Sequence, residues 1–392
     1  MRTRKLKLCL LILIFLLHAG GGRAEITNQP GWPISTNDWI TSSITLGDID
    51  KDGNPEVVVG SWNGKIYVFE PDGSSPPGWP VKLKAYVSSS PVLGDVDGDY
   101  SPEVVAASAE GEVYAWTGQG KLLPGWPVSF NRPGRNFLKL DELDGEKGYE
   151  VIIGLADGEV AAIRGTGEKI TSLKDDQWVY SCGADINGDG NKEFITALAN
   201  GEVKVCRENG EAAPGWPVNI GAWINSTPAL ADLNGDDRIE IVIGCRDNQV
   251  YVLNSEGKIL PGWPQLTGDW IEASPLIGDI DGDNKVEILA VSFDHKIYAW
   301  ETDGRLVPGF PIEIGASIYS TPGLGDIDGD RALELIVASL DGRIYCFDLG
   351  ADSFKGEELI PWPMFRRDAI HSGLFQRPLF TPDASRNNTD LK

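Results

Sequence analysis

An all-β fold, a seven-bladed β-propeller of four-stranded antiparallel blades, is what this 392-residue sequence predicts, and three observations predict it. Seven acidic nonapeptides begin at Asp48, Asp95, Glu142, Asp185, Asp232, Asp279 and Asp326, spaced by 47, 47, 43, 47, 47 and 47 residues. A second marker, Gly-Trp-Pro or Gly-Phe-Pro, keeps the same period. Its aromatic falls at Trp32, Trp79, Trp126, Trp216, Trp263 and Phe310, with a looser copy at Trp362. Finally, no stretch between Ile26 and Leu349 sustains a 3.6-residue apolar period over three turns. Short strands recurring every 40–50 residues or so are the mark of propeller blades, which bury their faces only by stacking on neighbours. Seven such units close a ring and leave no end blade exposed.

The elements follow from one repeat. In the second, Ser88–Leu93 reads as a small-residue strand running into the acidic loop at Asp95, and Glu103–Ala107 as an apolar strand. After the turn Ala109-Glu110-Gly111, Glu112–Trp116 alternates apolar with polar. Pro-Gly-Trp-Pro opens a fourth strand, as at Val81–Lys84. Other central turns read Asn63-Gly64, Asp157-Gly158, Asn200-Gly201 and Asp341-Gly342, dipeptides that accept positive φ in two-residue hairpins. The gap of 90 between Trp126 and Trp216 means that one marker is missing from the short repeat, near Thr171–Lys174. The propeller is expected over residues 25–376. Either the segment at Trp32 or that at Trp362 supplies the outer strand of the last blade, and the sequence leaves the choice open. Residues 377–392 form a polar tail.

Residues 1–24 read as a secretory signal: a basic start, the apolar run Leu8–Leu17, then small residues to Ala24. The product is expected to be secreted, outside the cell, in a periplasm or at the cell surface, with no membrane insertion. Beyond residue 24, 29 basic side chains face 58 acidic ones, a net −29 that repels phosphate backbones and so excludes nucleic acid. Three His leave little for acid–base or imidazole–metal chemistry. Cys182, Cys206, Cys245 and Cys346 are too irregularly spaced for a disulfide framework and read as small buried hydrophobes, with one disulfide as the alternative.

The acidic loops carry the chemistry. Asp48, Asp50, Asp52 and Glu56 stand at positions one, three, five and nine of a nonapeptide whose second residue is apolar. Carboxylates converging on one tight turn repel each other unless a cation lies between them, and an all-oxygen donor set suits Ca²⁺ rather than Zn²⁺. The same positions hold Asp95, Asp97, Asp99 and Glu103; Asp185, Asn187, Asp189 and Glu193; Asp232, Asn234, Asp236 and Glu240; Asp279, Asp281, Asp283 and Glu287; and Asp326, Asp328, Asp330 and Glu334. About six structural Ca²⁺ are expected. The third loop, Glu142 to Glu150, has longer carboxylates at two positions and is expected to bind poorly or not at all. Position six calls for positive φ, which is costly at Tyr100 and Arg331.

Leu46-Gly-Asp-Ile-Asp-Lys-Asp-Gly-Asn-Pro-Glu-Val-Val-Val-Gly60 and its copies resemble the FG-GAP (VCBS-type) repeat, which builds the calcium-loaded heads of integrin alpha subunits and many secreted bacterial propellers. The resemblance covers nearly all of Trp32–Leu374, although Leu-Gly stands in place of Phe-Gly and the Gly-Ala-Pro is missing. It implies that position seven (Asn54, Ser101, Asn191, Arg238, Lys285, Ala332) contributes its backbone carbonyl to the ion. The ending from Trp362 through His371 looks like a closing segment of bacterial members and points to an exported prokaryotic protein.

Function is expected on the other face. Trp39, Tyr86, Trp223 and Trp270 lie nine residues before their acidic loops, and Trp178 occupies a nearby place in the fourth repeat. Pro133 and Ser317 break the series, with Tyr319 close by; the central turns add Trp62, Arg246, Phe293 and His295. Such a ring, with Asn225, Glu272 and Ser88 between its members, either stacks sugars around the channel mouth or wedges between blades. The expected function is a monomeric, non-enzymatic binding or adhesion module for a glycan or protein ligand. The alternatives are a lyase-type enzyme acting on polysaccharides and a quinone-cofactor dehydrogenase. No catalytic constellation supports the first, and no tryptophan docking motif the second.

Overall fold

The computed structural model describes residues 26–155, 160–173, 181–207, 209–350, 360, 363–368 and 371. The signal segment, the polar tail, Trp178, the Asp157-Gly158 turn and Trp362 lie outside them. Seven antiparallel sheets form a ring, and no helix occurs among the described residues. The innermost strands are Thr45–Gly47, Val92–Gly94, Gly134–Asp141, Ser181–Ala184, Ala229–Ala231, Leu276–Gly278 and Gly323–Gly325. Each runs through an acidic loop into a second strand that is buried throughout in six blades, such as Glu56–Gly60 or Glu287–Val291, and exposes Phe194 in blade four. A hairpin turn then leads to a third strand, such as Lys65–Phe69, and six blades end in their own outer strand, such as Val81–Lys82.

The seventh blade closes differently. Its third strand, Arg343–Asp348, pairs with two N-terminal pieces: Thr27 lies opposite Asp348, and Ile34 opposite Ile344. The N-terminal marker therefore locks the ring.

In blade two the inner strand is only Val92–Gly94, shorter than the Ser88–Leu93 reading. Pro91 has no N–H to give a ladder, and the serines before it serve other strands. Ser89 Oγ accepts from Ala107 N–H within its blade, whereas Ser90 Oγ accepts from Ser43 N–H of the previous blade. Thr227 and Ser274, then Ser274 and Thr321, repeat that bond from blade to blade. Hydroxyls thus satisfy backbone groups that a strand would otherwise pair.

The Gly-Trp-Pro tryptophans are inter-blade pegs. Trp79 is buried, its Nε1–H donates 2.8 Å to Gly118 O of the next blade, and its ring meets Trp116 edge-on at 6.4 Å. Trp32, Trp126, Trp216 and Trp263 each donate likewise to the residue 39 places on. The preceding glycine is required by the approach: a Cβ on Gly78 would lie 2.1 Å from Gln119 O. Blade three lacks the peg, and there Ile152, Val160 and Ala162 form a small core of their own.

The C-terminal segment crosses the channel. Leu324 N–H, on the inner strand of blade seven, donates 2.8 Å to Pro363 O. His371 Nδ1 lies 3.0 Å from Leu138 O, on the inner strand of blade three. Met364 joins the core between blades seven and one, and Phe365 meets the His371 ring edge-on. Burial pushes the His371 imidazole down to about 3, so the ring is neutral and donates from Nδ1. All four cysteines among the described residues are free thiols; Cys182, Cys245 and Cys346 are buried.

Candidate metal centres and an aromatic channel mouth

Each acidic loop is organised by its own backbone. In the second, Asp95 accepts from the N–H groups of Gly98, Asp99 and Tyr100, Asp97 accepts from Asp99, and Asp99 accepts from Ser101. The remaining loops repeat most of this net. The position-seven residues Asn54, Asn191, Arg238, Lys285 and Ala332 each donate N–H to the position-five carboxylate. Position six takes positive φ at Gly53, Tyr100, Gly190, Asp237, Asn284 and Arg331, as its turn geometry predicts. Position four does so too, at Lys51 and at glycine in the other loops. The sequence showed this as six glycines at one place, a signal the reading passed over.

The position-nine glutamates complete the sites. Glu56, Glu103, Glu193, Glu240, Glu287 and Glu334 are buried, and one carboxylate oxygen of each accepts from the N–H of the apolar second residue. In the first and sixth loops the other oxygen, Oε1 of Glu56 and of Glu287, is buried with no hydrogen-bond partner. Desolvation, reinforced by neighbouring aspartates, pushes Glu56, Glu103 and Glu240 up to about 7, Glu334 to about 8 and Glu287 to about 9. A buried oxygen with no donor, beside further carboxylates, fits a hard cation.

Carboxylates converge within 4.8 Å in five loops among the described residues: Asp48, Asp50, Asp52 and Glu56; Asp95, Asp97 and Asp99; Glu142, Asp144 and Glu150; Asp279, Asp281 and Glu287; Asp326, Asp328 and Glu334. These clusters could hold metal ions. Loops four and five bring no such triad together, because Asn187 and Asn234 replace an aspartate and turn their amide N–H groups to Glu193 and Glu240. A half-turn of either amide would present oxygen instead. The third loop does converge, but Arg164 Nε holds Asp144 at 3.0 Å, an ion pair that competes with a cation there. At the seventh loop Gln29, from the closing strand, lies 3.2 Å from Glu334 Oε1.

The opposite face is aromatic. The residue entering each inner strand and the hairpin turn 23 places on are tied by a backbone bond, Trp62 N–H to Trp39 O, Arg246 to Trp223 and Phe293 to Trp270. Both therefore sit at the mouth. Trp39, Trp62, Tyr86, Trp223 and Trp270 are 40–52% exposed, so about half of each side chain faces solvent at the mouth. Trp62 stacks on Tyr86 at 5.0 Å and meets Trp39 at 5.1 Å. A cavity of about 380 Å³, with no charged side chain in its lining, joins these three to Tyr319. From Tyr319 the rings continue through Phe293 at 6.2 Å to Trp270 at 6.4 Å, and the Arg246 guanidinium bridges Trp270 and Trp223. The arc passes over blades two, one, seven, six and five.

A ring of repeat blades with oxygen-rich loops on one face and an open aromatic mouth on the other defines a repeat-built binding scaffold. A model of the FG-GAP-like repeat matches residues 48–106, 185–243 and 279–337, three blade-to-blade spans that each begin at an acidic loop. The chain is a seven-bladed β-propeller that carries FG-GAP-like repeats. No curated protein matches it. Among solved structures, BBS1N in complex with ARL6DN, in a crystal soaked with mercury, is similar at TM-score 0.58 and 13% identity, over 84% of this chain and 98% of that one. Sqt1 of Saccharomyces cerevisiae is similar at 0.55 and 14%, over 83% and 100%. At such identities the likeness is one of fold. No helix of the described residues is long and apolar enough to cross a membrane.

Proposed function

We propose that this protein is an exported, calcium-stabilised binding module that captures a glycan on its aromatic face and performs no chemistry on it. The observation that carries the reading is the continuous arc of half-exposed rings around the channel mouth. Water-exposed Trp and Tyr faces are costly to leave uncovered, and they suit the C–H faces of pyranose rings. Calcium belongs to the other face: the partnerless Glu56 and Glu287 oxygens and the all-oxygen loops favour a flexible hard cation. Its role there is to pin the turn between the first two strands of a blade, far from the ligand. The cavity lining carries no carboxylate, imidazole or amine to activate its Tyr, Ser and Thr hydroxyls, which supports binding over lyase chemistry.

A glycan-array screen in millimolar Ca²⁺, repeated with Trp223→Ala/Trp270→Ala, tests this. Binding of a defined glycan that the double variant loses, with its melting temperature unchanged, is the expected result. Absence of binding to any glycan would overturn the lectin-like reading and leave a protein ligand as the occupant of the face.

A further inference from the structure

Besides Pro133 and Ser317, the mouth departs from its own repeat at the junction of blades five and six, and there with charged side chains. The hairpin position held by Trp62, Ala109, Phe293 and Leu340 in other blades is Arg246 here. The position two residues beyond the entering aromatic, Thr41 and Ser88 in the first two repeats, becomes Asn225 and Glu272. Blades close without these charged residues, so the fold does not require them.

Together they fix one guanidinium. Arg246 Nε donates to Glu272 Oε1, and Asn225 Nδ2 donates 2.7 Å to Glu272 Oε2, so both oxygens of a carboxylate only 1% exposed are committed. The guanidinium carbon lies 5.4 Å from the Trp223 ring and 5.2 Å from the Trp270 ring. Among the described residues nothing accepts from Nη1 or Nη2, and the side chain is one-third exposed. An arginine normally gives up considerable rotamer freedom to hold a ligand; this one is held in advance by a buried carboxylate and two rings. Its open edge is the half of the fork that matches a carboxylate bidentately.

We infer that Arg246, flanked by Trp223 and Trp270, is a subsite for a sugar ring bearing a carboxylate, so that the glycan carries a uronic or comparable sugar acid. This rests on the reading of the aromatic face as a glycan site and deepens it. The two rings supply stacking surfaces on either side of the cation, and the uncharged arc toward Tyr86 receives neutral sugars. Acids nearby are already engaged: Asp247 with Tyr251, and Asp294 with Tyr298. A chain of −29 beyond its first 24 residues repels a densely charged polyanion, so the ligand is one with isolated carboxylates among neutral sugars.

The test uses the whole protein in millimolar Ca²⁺, on an array of uronate-bearing oligosaccharides printed beside the same oligosaccharides with each carboxyl reduced to the alcohol. The acidic member of a bound pair is expected to bind roughly 10- to 100-fold tighter, the range of a charge-assisted bidentate contact. Arg246→Lys, which keeps a charge for Glu272 but loses the fork, should remove most of that preference. Arg246→Met/Glu272→Gln, which leaves no unpaired buried charge, should remove it all while binding to the reduced glycans persists. Equal binding of both members, or a preference that survives both variants, overturns the subsite and leaves the glycan reading standing. No binding of either member overturns both.

Discussion

The sixth acidic loop allows a test in which metal removal reverses the order of stability of two proteins. Glu287 is buried, one oxygen bound to Ile280 N–H and the other without a partner, and without a cation its carboxyl is pushed from 4.5 to about 9. At pH 7.5 the metal-free folded chain therefore keeps Glu287 protonated, whereas the unfolded chain ionises it. A raised folded value means stability that is complete below pH 4.5 and lost as the pH rises toward 9. About three pH units at 1.36 kcal/mol each make this a deficit of about 4 kcal/mol at pH 7.5. Glu287→Gln removes the titration, keeps an oxygen for Ile280 N–H and offers N–H donors to the adjacent aspartates. In EDTA at pH 7.5 the variant should be the more stable protein. Taking about 2.1 cal/mol/K of unfolding entropy per residue over about 325 residues, its melting temperature should rise by about 6 °C. In Ca²⁺ the gap should close, and beyond about 1,000 times the wild-type Kd, where occupancy adds about 4.1 kcal/mol, the order should reverse, because the ion holds the ionised wild-type carboxylate and the amide is a poorer ligand. Differential scanning calorimetry of both proteins in both buffers reads this directly. A variant that melts below the wild type in EDTA, or that keeps the full calcium increment, would refute the account of Glu287 as a ligand stored at a cost.

Two further outcomes follow from single residues. Tyr100 is held at φ 69° in the second loop, and Tyr100→Asn, which relieves about 1 kcal/mol of left-handed strain, should raise the calcium-loaded melting temperature by 1–2 °C or so. An unchanged or lower value would show that the loop does not impose that φ. His371, whose folded value of about 3 lies below the ordinary 6.5, contributes stability that is present above pH 6.5 and lost as the pH falls toward 3. Between pH 6.5 and 5 the wild type should lose about 2 kcal/mol more than His371→Leu in urea titrations, and parallel losses would mean that the ring is not buried neutral.

What was legible in the sequence was what repeats. The seven periods, the acidic loops and the tryptophan pegs each recur under the same local constraint, so one copy explains the others. The closing strand was not legible, because Trp32 and Trp362 carry similar markers; pairing of Thr27 with Asp348 decides it only in three dimensions. Nor was the crossing of the channel by Pro363–His371, since Leu138 and Leu324 lie far from that segment in the chain and carry no matching signal. The inner-strand boundaries were misread for a local reason: Ser89 and Ser90 look like strand residues but act as hydrogen-bond acceptors for Ala107 and Ser43.

The places where the repeat fails divide into two kinds, and the difference separates architecture from function. Some failures are matched by a structural substitute. Blade three lacks its Gly-Trp-Pro peg and has instead a five-residue outer strand, Lys169–Leu173, where other blades manage with two. Its acidic loop lacks regular aspartates and gains the Arg164–Asp144 ion pair. Such changes keep the ring closed, and the ring is what they serve. The Asn225–Glu272–Arg246 chain has no deficit to repair: the junction of blades five and six already has its peg in Trp263, bonded to Thr302 of blade six. Burying Glu272 there is a desolvation cost that a Thr or Ser at the same place would avoid. A repeat protein that accepts that cost at one blade junction, and spends it on holding a guanidinium open toward solvent between two exposed rings, has placed a recognition element at that junction.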